Sequence, residues 1–322
     1  MTRVFVTGGS GFLGSAVVAG LSAARGVDAV VSGDVREPHP DARVDGVTYV
    51  HADVTDADAL PDLLREHGID VVVHLASIVN PGASTTVEQE YRVDVEGSRA
   101  VFAACLAAGV RRVVVSSSGA AYGYHADNPE WLVETDALRG NDDFPYSRHK
   151  RLVEEQLAEL RQSHPELEQV VFRIGTILGT TVRNQITALW EGDRILEIAG
   201  SDSPFVFVWV DDVVGAMVRA ATEGPAGIYN VAGDGRLTVR EIAAELGKRT
   251  LQIPAWVLAA SLGLGHALRL TPHGAAQVKF LRYRPVLSNA RLKKEFGFTP
   301  AKSSREALLA YREARWGSSR QT

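Results

Sequence analysis

The chain has 322 residues, enough for about two domains of ordinary size or one large α/β domain, and its 45% hydrophobic and 23% charged content excludes a disordered chain or a small disulfide scaffold. A net charge of −5 supplies no global basic field, and no basic patch interleaves with aromatic residues, so no nucleic-acid partner is expected. One cysteine, Cys105, forms neither an intrachain disulfide nor a zinc cluster, and the expected compartment is the cytoplasm.

Strands and helices are predicted in alternation. Val4–Val6 is a short apolar run that ends in glycines, and an amphipathic helix is expected over Phe12–Ala24. Ala29–Val31 and Val47–Val50 are the next two strands, with a helix over Leu60–Glu66. Val71–Leu75 is fully apolar, as befits a strand covered on both faces. A long helix over Thr86–Ala108 precedes the strand Arg111–Ser116. Another helix is expected over Pro145–Gln162, where Pro145 suits the first turn, and then a strand at Val170–Ile174. This order implies right-handed βαβ units and a doubly wound, Rossmann-type parallel sheet.

Past residue 174 the rhythm changes. Helices are predicted at Ile186–Glu191, Asp211–Ala221 and Thr238–Leu246, with strands at Phe205–Trp209 and Gly227–Asn230. The expected division is a dinucleotide-binding domain over 1–175, with returning elements near 205–232, and a mainly substrate-binding, mostly helical cap over 176–322. The most apolar stretch, Ile253–Leu268, is interrupted by Pro254, Ser261, two glycines and His266. It is too short and too broken for a span of ~20 residues, and a buried or interfacial helix is expected. No targeting segment is expected at the N-terminus, and the last six residues look like a frayed tail.

Thr7-Gly8-Gly9-Ser10-Gly11-Phe12-Leu13-Gly14 joins the first strand to the first helix. Its glycines allow a tight turn, a close backbone approach to a pyrophosphate and close helix packing, and the helix N-terminus offers free N–H groups to the anion. Asp34, twenty residues past Gly14, is placed to bind ribose hydroxyls and to repel a 2′-phosphate, which favours NAD over NADP; Arg36 beside it pulls the other way.

Tyr146-Ser147-Arg148-His149-Lys150 opens the long helix, with Tyr146 and Lys150 on one face. Eight tyrosines and six lysines in this length predict about 0.15 chance occurrences of that spacing. A free phenol titrates near ~10, too high for a base at neutral pH, and a nearby ammonium stabilises the phenolate. Tyr146 could then take a proton from a carbinol or give one to a ketone. Ser116-Ser117-Ser118-Gly119-Ala120-Ala121-Tyr122-Gly123 follows the fifth strand, at the sheet end where ligands bind, and a serine there could hydrogen-bond the reacting oxygen. The scattered histidines make no metal-ligand pattern, and no metal is expected.

These segments, with Asp53-Val54, His74-Leu75-Ala76-Ser77, Arg173 through Gly179 and Val210-Asp211-Asp212, resemble the extended short-chain dehydrogenases/reductases, the NAD-dependent epimerase/dehydratase group. The resemblance covers nearly the whole chain. It implies a catalytic set of Ser118, Tyr146 and Lys150, with Lys150 also holding the nicotinamide ribose. It implies a cofactor site of Gly8, Gly11, Phe12, Leu13, Gly14, Asp34, Asp53, Val54, Leu75, Ala76 and Ser77, in which Asp53 and Val54 flank the adenine. It also implies a homodimer through the helices near 86–108 and 145–162.

Two departures bear on substrate. Nucleotide-sugar members usually carry Asn where this chain has Thr176, and Arg-Asp where it has Phe205-Val206. The arginine that would pair with a nucleotide diphosphate is therefore missing from that place. The cap carries Trp256, Val257, Leu258, Leu262, Leu264 and Leu268, which suit either a hydrophobic substrate or the packing of the cap itself. Arg183, Arg282 and Arg284 are left to bind an anionic substrate or to serve as surface charges. The balance of these features favours net redox on a secondary alcohol or ketone. The alternative is a nucleotide-sugar epimerase or dehydratase that keeps and recycles its NAD. A dinucleotide-binding sensor without catalysis is disfavoured by the intact Ser118, Tyr146 and Lys150.

Overall fold

The computed structural model describes residues 2–82, 84–267 and 277–317; of residues 264–267 and 277 only the backbone is described. Seven strands form one parallel sheet. They are β1 (Thr2–Thr7), β2 (Val27–Asp34), β3 (Thr48–His51), β4 (Val71–His74), β5 (Arg112–Ser118), β6 (Glu168–Ile174) and β10 (Gly227–Val231), in the order β3-β2-β1-β4-β5-β6-β10. The chain runs outward from β1 to β3, returns to lay β4 against β1, and then runs outward the other way. The reversal opens a crevice at the carboxyl ends of β1 and β4, the place where such sheets bind ligands.

Side-chain alternation along these strands feeds two cores. Val4, Val6, Val71, Val73 and Val114 face α1 (Phe12–Ser22) and α7 (Val210–Thr222). Phe5, Val31, Val72, Val113 and Val115 face α2 (Ala59–Glu66), α4 (Gly97–Ala108) and α5 (Pro145–Ser163). Burial on both faces explains why the strands are continuous apolar runs.

The helix expected over Thr86–Ala108 is broken in register. Thr86 caps α3 (Val87–Tyr91) through a reciprocal pair with Gln89, and a π-helical turn over Arg92–Glu96 leads into α4. The wider turn points Asp94 inward, where it accepts the Ile78 N–H at 2.8 Å and meets His149 Nδ1 at 3.1 Å.

In the second half, β10 returns to the main sheet beside β6, and two small parallel pairs stand apart: β7 (Thr176–Leu178) with β9 (Phe207–Trp209), and β8 (Arg194–Ile198) with β11 (Arg249–Ile253). The strand expected from Phe205 starts two residues later, because Phe205 bridges to Leu237 instead. The expected helix near Ile186 is α6 (Gln185–Ala188), and that near Thr238 is α8 (Val239–Glu245) with Thr238 as its cap. A third core gathers Trp190, Phe205, Phe207, Trp209 and Tyr311, the last from α11 (Ser304–Trp316). Two further helices, α9 (Ala255–Ala267) and α10 (Gln277–Arg282), complete this half. Leu268 and the tail from Ser318 lie outside the described residues, as does the side chain of Leu264.

Candidate active site

The turn after β1 is packed without slack. Gly8 has φ +69°, and a Cβ on it would stand 2.8 Å from the Ala76 nitrogen. A Cβ on Gly14 would stand 2.0 Å from the Gly8 carbonyl oxygen. Glycine is required at both places, at the first by φ and at the second by contact. Thr7 Oγ1 ties the turn to the end of β4: it accepts the N–H groups of Leu75 and Ala76 at 3.2 and 3.3 Å and meets His74 Nδ1 at 2.7 Å. Ser98 spends its hydroxyl proton on the Asp94 carbonyl at 2.5 Å, so His74 Nε2–H donates to Ser98 Oγ at 2.9 Å. Burial first, and the Lys150 charge second, push the His74 pKa down to about 3, which keeps the ring neutral.

Asp34 closes β2 beside this turn. Its carboxylate accepts the Ser10 N–H at 3.1 Å and the Arg36 N–H at 3.0 Å. It lines a small recess with Ser10, Ser32, Tyr49, Val50 and His51. Ser77 Oγ and Ser32 Oγ are buried without a partner among the described residues. Asp53 accepts the Thr55 N–H and hydroxyl at 2.9 and 2.8 Å, so its side chain shapes its own turn, and Val54 packs beneath against Gly97. Phe12 is 40% exposed at the start of α1, and Leu13 packs on the core behind it.

Across the crevice, Phe144 is extended and Pro145 opens α5, which sets Tyr146 and Lys150 one turn apart. Lys150 is buried and donates to the Ser116 carbonyl at 3.0 Å; its Nζ lies 5.6 Å from the centre of the Tyr146 ring. The Tyr146 hydroxyl makes no hydrogen bond among the described residues. Ser118 Oγ accepts the Ala120 N–H at 3.1 Å at the end of β5. Behind this wall, Glu154 takes the Arg173 Nε and Nη2 groups at 2.9 and 2.7 Å and the Ser117 hydroxyl, a buried pair that anchors α5 to β5 and β6.

The cap side of the crevice holds Tyr124, Phe144 and Phe280, with Phe280 5.2 Å from Tyr124 and 5.6 Å from Phe144 between ring centres. Burial raises the Tyr124 pKa, with Tyr146 adding to the rise. Beyond them the Arg284 guanidinium carbon lies over the Phe205 ring, 3.8 Å from its centre. Its Nη1 donates to Ser203 Oγ at 2.8 Å and to the Ser203 and Leu281 carbonyls at 3.1 Å. Ser203 holds that position at φ +26°, the one positive φ outside glycine among the described residues. Arg284 Nε is buried without a partner, and Arg284 pairs with no carboxylate among the described residues. Burial pushes its pKa down to about 9 against a smaller pull from Tyr124.

The structure thus brings the glycine turn, Asp34 and Leu75–Ser77 to one end of the sheet, and Ser118, Tyr146 and Lys150 to the same end across the crevice. Of the three arginines considered for an anion, Arg183 is exposed at the surface, Arg282 lines a separate groove and Arg284 faces the aromatic group. Tyr124, Phe280 and Ser203 were not predicted. Tyr124 had a signal in its place two residues past Tyr122; Phe280 had none.

The profile of the NAD dependent epimerase/dehydratase family matches residues 4–232. The chain belongs to that family. An uncharacterized protein of Mycobacterium tuberculosis is 26% identical over 314 residues, which cover 96% of this chain and 82% of that protein. UDP-glucose 4-epimerase of Azospirillum brasilense is 34% identical over 178 residues, 55% of this chain and 49% of that enzyme. The crystal structure of UDP-glucose 4-epimerase of Thermus thermophilus in complex with NAD superposes with a TM-score of 0.72 at 24% identity, covering 97% of this chain and 98% of that one. That likeness shows the shared fold, an extended short-chain dehydrogenase architecture. No helix among the described residues is long and apolar enough to cross a membrane.

Proposed function

We propose that the chain is an NAD-dependent epimerase or dehydratase acting on an anionic sugar nucleotide, with Tyr146 as acid and base. The observation that carries this reading is Arg284. The sequence lacks an arginine at Phe205, and Arg284, from the segment that follows α10, lies on the Phe205 ring with an unpaired buried Nε. Arg284 is half-buried, but its Nε is buried without a partner and no carboxylate among the described residues meets the group, so a donor is left that an anion would complete. The apolar look of the cap favoured a hydrophobic alcohol and net redox. Arg284 and the match to sugar-nucleotide epimerases support the alternative.

The residues fit the cofactor. The Gly8–Gly14 turn and the start of α1 would hold the pyrophosphate, Asp34 the adenosine ribose, and Asp53 and Val54 the adenine edge. Leu75, Ala76 and Ser77 would run alongside, where the orphaned Ser77 hydroxyl lacks a partner, and Lys150 would reach the nicotinamide ribose. NAD supplies a reversible hydride acceptor when bound. Tyr146 exchanges the proton of the reacting hydroxyl, Ser118 holds that oxygen, and Lys150 stabilises the phenolate. Phe280, Phe144 and Tyr124 exclude water between Tyr146 and the anion at Arg284. We assign residues 1–175 to cofactor binding and 176–322 mainly to the substrate, place the enzyme in the cytoplasm, and assign the helices near 86–108 and 145–162 to a homodimer.

The test is mass spectrometry of small molecules released on denaturation, followed by turnover of UDP- and dTDP-sugars by wild type and Arg284→Met. The expected result is near-stoichiometric NAD, turnover without net NADH, and a KM raised about tenfold to a hundredfold by Arg284→Met. An empty protein that reduces hydrophobic ketones, with Arg284→Met unchanged, would restore the net redox reading.

A further inference from the structure

The far side of α10 from the aromatic group is built differently. Phe280 faces Tyr124 and Phe144, while Val278 and Arg282 turn to an open groove of about 490 Å³ whose other walls are Pro254, Ala255, Trp256 and Ala259. The groove runs beside α9, which is apolar from Ala255 to Gly263 apart from Ser261, yet none of the described side chains in that stretch is buried. Trp256 is 75% exposed. An ordinary cap helix buries one stripe and shows charge on the other; α9 does neither.

The small sheet that leads into α9 through Pro254 also leaves one face open. The β8–β11 pair packs one face on α8, with Glu197 of that face bonded to Arg240. On the opposite face Leu251 stands beside Leu196 and Arg249 beside Arg194, by register. Leu251 is 42% exposed, and neither Arg194 nor Arg249 makes an ion pair among the described residues. Arg282 Nε, at the groove, is buried without a partner.

Of the nine Lys and Arg residues between Leu246 and Lys294, Arg249 and Arg282 belong to this face, whereas Lys279, Arg291 and Lys293 pair with Asp143, Glu295 and Asp234. Asp193 and Asp202 flank β8, so the positive charge is partly offset at the sheet's edge.

We propose that this face, Trp256 and Leu251 with Leu196, Arg194, Arg249 and Arg282, docks on an anionic lipid bilayer. In that docking the Trp256 indole sits at headgroup depth, Leu251 and Leu196 reach toward the acyl boundary, and the unpaired arginines meet lipid phosphates. A protein surface of complementary acids would satisfy the arginines but not the exposed Trp256 and Leu251. Because α10 forms the wall between this face and the aromatic group, docking sets the entrance of the crevice close to the membrane surface.

The experiment is flotation of the full chain with phosphatidylcholine vesicles containing 0 or about 30% phosphatidylglycerol, a fraction chosen to give the surface charge on which such binding depends. Wild type is expected to float only with the anionic vesicles and to be released by high salt. Arg249→Ser should weaken binding roughly fivefold, and Trp256→Ser with Leu251→Ser should abolish it. These side chains are exposed, so the variants should keep the wild-type circular dichroism and urea midpoint. Absence of flotation at every lipid composition overturns the proposal, as does binding that the double substitution leaves intact. A double variant that loses an oligomer instead of lipid binding also overturns it, and assigns the face to a second copy. None of these readouts depends on the substrate proposed above.

Discussion

In the proposed reaction Tyr146 and Lys150 divide two tasks, and their surroundings differ accordingly. The Tyr146 hydroxyl is unengaged at the crevice, whereas Lys150 is held by the Ser116 carbonyl and lies under the ring of Tyr146. Removing the phenol oxygen should therefore stop proton transfer and leave cofactor binding alone. Tyr146→Phe is expected to lower kcat by about 10²- to 10⁴-fold, with the Kd for NAD changed less than about twofold. Lys150→Ala should lower kcat and also weaken NAD. Stopped-flow turnover and isothermal titration separate the two effects, and a Tyr146→Phe enzyme with near-normal turnover would remove this tyrosine from the chemistry. Both residues were legible from a spacing of four in a rare residue pair. Arg284 was legible only as one arginine of three, because its meaning depends on Phe205, which lies 79 positions earlier and meets it only after folding.

At the scale of elements, periodicity was informative where both sides of an element are packed. The strands of the main sheet are apolar runs because helices cover both faces, so they were visible in sequence. The β8 and β11 strands were not, since one face packs on α8 and the other carries Arg194, Arg249, Leu196 and Leu251 in the open. The π-helical turn was hidden too: it adds a residue to a helix without disturbing its composition, and it is stabilised by the distant Ile78 and His149. The glycine turn was the clearest element because sterics dictate its residues. A methyl group on Gly14 would lie 2.0 Å from the Gly8 carbonyl oxygen, which is backbone and cannot rotate away. Gly14→Ala should thus separate α1 from the turn, destabilise the fold by about 2 kcal/mol or more and weaken NAD over tenfold. Urea midpoints with and without NAD measure both; a variant with wild-type midpoints in each condition would show that the turn yields more easily than its packing implies.

For the molecule as a whole, the crevice joins halves of the sheet that meet through His74. This ring links Thr7 on β1 to Ser98 on α4, and it is neutral because burial and the Lys150 charge depress its pKa to about 3. In the unfolded chain the same ring would take its proton near ~6.5. Between those values the unfolded state binds the extra proton, so stability rises with pH there and falls as pH drops. The full contribution is present above the unfolded pKa. Lowering the pH from about 7 to about 5 should remove about 2 kcal/mol through this one group. Other titrating groups act in the same window, so the informative quantity is a difference between proteins. His74→Gln keeps hydrogen-bonding capacity and cannot titrate; it should be less stable than wild type at pH 7 and converge with it near pH 5. Urea denaturation of both proteins at half-unit steps gives the two slopes. Parallel curves would mean that His74 takes its proton in the native state at the same pH as in the unfolded chain, and that the Thr7–His74–Ser98 chain does not hold a neutral ring.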